Sequence, residues 1–197
     1  MAKRTKGINP HHWFYGLQRE LRNNDNAYTV LAGSACEQWL NGEFFRYLST
    51  KLPPSFYPYP EAGKRDVVVF HQSTHEAAAV VETKLVYLNY SKTRIAKYFD
   101  VLGRQMQKAL KEEPNAEVIG LALAAYAYWG DRRRKPSLKQ FREDVVLPAL
   151  LKAARSHRAV MAKPTVETLL KLRDNVRVGG ALATVALVGQ YLRFPKK

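Results

Sequence analysis

Apolar residues change their spacing along this chain, and each change marks an element. From about Asn26 to Leu52 they recur at Tyr28, Leu31, Ala32, Ala35, Trp39, Phe45 and Leu48, steps of three and four that predict a helix, weakened at Gly33 and Gly42. The proline-rich 53-PPSFYPYPEAG-63 ends it and allows only a loop or an edge strand. Next, 65-RDVVVF-70 and 77-AAAVVETKLVYL-88 are β-branched and apolar, and a short polar connection between them makes a hairpin the simplest arrangement. Helical spacing returns from Ser91, a candidate N-cap, to about Lys111, with Ile95, Phe99, Leu102, Met106 and Leu110 on one stripe. The run 117-EVIGLALAAYAYW-129 predicts a long buried strand.

After the polar loop 130-GDRRRKPS-137, helices are expected over 138–161, dented at Pro148, and over 165–175. The closing 178-VGGALATVALVGQYLRF-194 fits a strand or a buried helix equally well. The pattern as a whole is that of an α/β protein. Residues 1–26 form a basic N-terminal arm, 27–129 an α/β core, and 130–197 a mainly helical extension packed on that core within one domain.

Composition is ordinary for a globular chain of 197 residues, but charge is not: 32 Lys and Arg against 17 Asp and Glu leave a net +15. Such an excess attracts polyanions over long range, nucleic acid first among them. No apolar run reaches the roughly 18 residues of a spanning helix, so no membrane partner is expected. The basic N-terminus is followed by no apolar segment of a secretion signal. Cys36 is the single cysteine, which excludes an intramolecular disulfide and a thiolate cluster, and a cytoplasmic location is the simplest expectation.

The chemistry concentrates in 79-AVVETKLVYL-88. Glu82 and Lys84 are two residues apart on a strand and so share a face, although apolar neighbours flank them. Asp66 opens the preceding strand, where a hairpin brings it near Glu82. Two facing carboxylates repel and resist burial, and a divalent cation relieves both costs. Mg²⁺, with Mn²⁺ as a substitute, suits one or two carboxylates together with phosphate oxygens. Lys84 can then address the attacking water or the phosphate.

Asp66, fifteen intervening residues and Glu82-Thr83-Lys84 resemble the motif of the PD-(D/E)XK nuclease superfamily, whose restriction-endonuclease-like core runs helix, three antiparallel strands, helix, strand. The resemblance implies that Asp66 and Glu82 bind the metal and that Lys84 lies near the nucleophile. It also implies a glutamate on the first core helix that supports a second metal or its water, for which Glu37 is the first choice and Glu43 the alternative. A glutamine on the second core helix, Gln105 or Gln107, carries less weight. The sequence departs from the pattern at Arg65, which stands where the family carries proline.

The expected activity is that of a Mg²⁺-dependent DNA endonuclease of restriction or mobile-element type, hydrolysing phosphodiester bonds with metal-activated water. Cutting both strands usually takes two sites, which leaves a homodimer open. The alternative is a non-catalytic nucleic-acid-binding protein of the same fold. Under either reading, Lys92, Arg94, Lys97, Arg104, Arg132, Arg133 and Arg134 are the candidate contacts to the nucleic-acid backbone. The histidines at 11, 12, 71 and 75 lack the partners of a zinc site and are read as loop residues.

Overall fold

Three helices precede the first strand in the structure, a computed structural model that describes residues 8–33, 36–61, 65–129, 135–161 and 163–195. They are α1 (Pro10–Arg22), α2 (Ala27–Ala32) and α3 (Cys36–Lys51). Helix α1 corrects the expected arm over residues 1–26, of which residues 1–7 lie outside the described ones. Asn9 caps it by accepting the N–H groups of His11 and His12 at 3.1 and 3.3 Å, and Pro10 stands in its first turn, where a missing N–H costs nothing. Trp13, Phe14, Leu17 and Leu21 then bury one stripe of α1 while its basic residues face outward.

Seven strands form one mixed, mostly antiparallel sheet in the order β1-β2-β3-β4-β7-β5, with β6 also paired to β7. The strands β1 (Phe56–Pro60), β2 (Val67–His71) and β3 (Ala77–Tyr87) make an antiparallel meander. Helix α4 (Lys92–Glu112), capped by the Ser91 side chain, then crosses the sheet so that β4 (Glu117–Trp129) runs parallel to β3. One face of the sheet is covered by α1, α2 and α3, the other by α4 and α6 (Leu147–Ser156). Helix α6 continues α5 (Leu138–Gln140) through a π-helical turn over Phe141–Val146, so the irregularity expected at Pro148 falls just before it.

The C-terminal third departs most from expectation. Residues 165–175 are not a helix, and the extension is not mainly helical: β5 (Val160–Met161), β6 (Glu167–Val178) and β7 (Ala181–Arg193) widen the sheet. The deciding feature is Gly179-Gly180. Val178 pairs with Ala181 across this two-residue turn, and Gly179 takes φ 58°, which a tight hairpin requires of its first turn residue and glycine adopts without strain. Strand β7 is also held along its other edge by β4, from Ile119↔Arg193 to Trp129↔Ala183. That tertiary pairing overrides the helical spacing of Val166, Leu169 and Leu170, and β6 absorbs the mismatch as register shifts.

The α4–α6 contact gives a direct test of packing. The His157 ring lies flat on α4 over Gly103, its Nε2 2.8 Å from Asp100 Oδ1 and its Nδ1 3.1 Å from Gln107 Oε1. A Cβ on Gly103 would stand 2.2 Å from that ring. Gly103→Ala is expected to cost about 1–3 kcal/mol in urea unfolding. By contrast Gly42→Ala on α3, where a Cβ meets nothing within 4 Å, should gain about 0.5–1 kcal/mol.

Candidate active site

Strands β2 and β3 part company after the pair Val67↔Val81, leaving β3 from Glu82 onward with an open edge on that side. Two carboxylates fill the gap. Asp66, one residue before β2, accepts the Thr83 N–H at 2.6 Å, and Glu37 in the first turn of α3 accepts the Leu85 N–H at 2.7 Å. Each satisfies an edge amide that a longer β2 would have paired. Because β3 is continuous beside β4 here, its side chains keep their alternation. Ala79, Val81 and Leu85 join the core under α1–α3, whereas Val80 and Val86 join the core under α4. Glu82 and Lys84 belong by register to the second set, and Lys84 reaches the open edge, its Nζ 2.8 Å from Glu37 Oε1 and 2.8 Å from the Thr83 carbonyl.

Glu82 is 1% exposed and is paired with a cation of the chain itself: Arg65 Nη1 lies 2.9 Å from its Oε1. The Arg65 guanidinium also bonds Glu112 near the end of α4, so it bridges the last turn of α4 to β3. Burial raises the Asp66 carboxyl above its ordinary value, opposed by the Thr83 N–H and the Lys84 charge and reinforced by Glu37. Burial also raises Glu82, partly offset by Arg65, with the nearby Asp66 charge pushing in the same direction as burial. Asp66, Glu82, Glu37, Lys84 and Arg65 therefore form one interacting cluster at the split between β2 and β3.

Compared with protein-family models, curated proteins and solved structures, the chain matches none.

Of the two helix acids, the structure brings Glu37 to this cluster. Glu43 instead bonds Arg46, which also reaches Glu20. Gln107 is engaged with His157 and points away, whereas Gln105 shares a face of α4 with Glu112, two turns apart. Lys92, Arg94, Lys97 and Arg104 are exposed along α4, with Arg104 paired to Asp100 at 3.3 Å. Arg132, Arg133 and Arg134 lie outside the described residues. His75 bonds the Tyr57 hydroxyl at 2.9 Å and His71 packs on Phe56, both at the far end of the β2–β3 hairpin from the cluster. Cys36 is buried, donating to the Val30 carbonyl, and its thiol is raised by burial, so it is no nucleophile here.

The sequence analysis missed two residues of the cluster. Asn41 lies one turn after Glu37 on α3, and its side chain works against burial in lowering the Asp66 carboxyl. Its signal was the four-residue step from Glu37. Arg65 was read only as a departure from a motif, yet it supplies the counter-charge to Glu82.

Among the described residues no three His, Cys, Asp or Glu side chains stand close enough together to hold a metal ion as they lie. The donor chemistry nonetheless fits a hard cation. Asp66 and Glu82 offer only oxygen, the donor type a hard cation prefers.

The raised carboxyls make a pH prediction. A carboxyl that holds its proton more tightly in the folded than in the unfolded protein stabilises the fold below its unfolded value, and that contribution is lost as pH rises through the folded value. Asp66 behaves in this way, so the stability of Asp66→Asn relative to the parent should improve from about pH 4 to about pH 7. Urea unfolding at several pH values measures it. A difference that is constant with pH would contradict the raised value.

Proposed function

We propose that this protein is a Mg²⁺-dependent nuclease acting on DNA. The observation that carries the reading is the run of interactions that links Asp66, Glu82, Lys84 and Glu37 where β2 leaves β3. Further support comes from the element order α3, β1, β2, β3, α4, β4, which is that of the restriction-endonuclease-like core. The +15 charge adds an attraction for polyanions.

In this reading Asp66 and Glu82 hold the metal, and Glu37 positions Lys84 through their 2.8 Å ion pair. Bound there, Mg²⁺ supplies Lewis-acid stabilisation of the charge that develops at the phosphate. Lys84, only 14% exposed, keeps a desolvated ammonium beside the scissile phosphate, where it stabilises the same charge and orients the attacking water. The exposed cations of α4 would track the nucleic-acid backbone without reading sequence.

A second reading is favoured by the buried Arg65–Glu82 pair. If Arg65 stays on Glu82, the chain is a nucleic-acid-binding protein without catalysis. One experiment separates the two. Purified protein is incubated with supercoiled plasmid in Mg²⁺ or Mn²⁺, in parallel with EDTA. Metal-dependent nicking supports the nuclease. Salt-sensitive binding that is indifferent to EDTA, with no nicking, supports the second reading.

A further inference from the structure

Strands β3 and β4 run parallel, so Tyr87 and Trp129 end on the same side of the sheet, next to the turn that enters α4. A cavity of about 330 Å³ opens there, walled by Tyr87, Tyr90, Tyr128 and Trp129, with Asn89 and Lys135 at its margin. That volume lies within the roughly 300–1,000 Å³ of small-ligand sites, and the outer ends of parallel strands are where open α/β sheets bind them. Its walls are flat π-surfaces. The Tyr87 and Tyr90 rings are 5.4 Å apart at 61°, and Trp129 is 43% exposed. Cations edge the same walls: the Arg94 guanidinium lies 3.8 Å from the Tyr90 ring centre and Lys135 Nζ 5.7 Å from that of Tyr128.

This cavity adjoins the acidic cluster. Tyr87 is three residues beyond Lys84 on β3, and Tyr90 and Tyr98 both feel the charge of Glu37. We infer that the cavity receives one unstacked nucleobase of a single-stranded or locally opened nucleic acid, stacked on Trp129 and Tyr90, while Lys135 and Arg94 meet the flanking phosphates. Aromatic walls serve any base because every base has a π-face, and cations at the rim suit the polyanion that carries it. The inference rests on the nucleic-acid reading above and adds to it a preference for unpaired over duplex strands. An Asn89 amide in the lining can bond a base edge as both donor and acceptor.

The test uses the full chain in EDTA and compares the affinity for a dodecamer of deoxythymidine with that for an abasic dodecamer of equal charge, by fluorescence anisotropy at low salt. The parent is expected to prefer the base-bearing strand by about 10-fold. Trp129→Ala and Tyr90→Ala should each bring the preference close to one, Trp129→Ala with the abasic affinity unchanged, and Trp129→Phe should keep most of it. Trp129 is well exposed, so its loss leaves the core intact. Equal affinity of the parent for both strands, or a preference that survives Trp129→Ala and Tyr90→Ala, would overturn the base pocket alone. Failure of the parent to bind either strand would overturn the nucleic-acid reading with it.

Discussion

Lys84→Ala and Asp66→Ala are each expected to slow Mg²⁺-dependent nicking of supercoiled plasmid by about 100-fold or more, with the fold retained. The size follows from where the groups sit. Lys84 is nearly buried and held at both ends of its reach, by Glu37 and by the Thr83 carbonyl, so its charge acts in a poorly screened setting without reorganising. Asp66 is the part-buried carboxylate whose charge acts on Glu82, and alanine removes one of the two acids the proposed reading assigns to the cation. Stability should change little in Lys84→Ala, because the Glu37 it abandons is about one-third exposed and can take water instead. The measurement is the rate of conversion of supercoiled to open-circular plasmid. Parent and both variants nicking at the same rate would show that the cluster is not the catalytic centre.

The second large effect concerns Arg65, and it reads on stability rather than turnover. Arg65→Ala strands the Glu82 carboxylate, 1% exposed, without its counter-charge, which is expected to cost about 3–5 kcal/mol. For a chain of this size that lowers Tm by roughly 6–20 °C. The bond to Glu112 adds little, since that carboxylate is half exposed. Two further measurements separate the causes. Arg65→Ala combined with Glu82→Gln removes the charge and should recover much of the loss. Mn²⁺ should raise the Tm of Arg65→Ala more than that of the parent, because the metal no longer competes with a guanidinium for Glu82. A variant whose Tm is indifferent to Mn²⁺ would count against metal at this site and for the binding-only reading.

That competition ties the two effects together. The parent chain neutralises its own acidic cluster with Lys84 and Arg65, which is how three carboxylates can approach one another in the folded protein. Under the nuclease reading, cation binding would be an exchange of divalent metal for guanidinium at Glu82 rather than occupation of bare carboxylates.

Much of this was written in short stretches of sequence. The β-branched runs at 67–71 and 77–87 and the apolar stripe from Ile95 to Met106 are local signals, and each formed the element its spacing predicts. The i, i+2 placement of Glu82 and Lys84 likewise put them on one face of β3, because strand alternation is a property of the backbone alone. What spacing could not determine was partnership. Glu37 and Glu43 sit on one helix, and only the docking of α3 against the open edge of β3 separates them, sending one to Lys84 and the other to Arg46. Residues 167–178 have helical spacing, yet β7 offers them a full ladder of hydrogen bonds once Gly179 turns the chain, and that long-range pairing outweighs a weak local preference. Arg65 carries the same lesson in electrostatic form: on paper it is one basic residue among many, and only burial beside Glu82 makes it the counter-ion of the cluster, since a charge acquires its partner from the dielectric and the neighbours that folding provides.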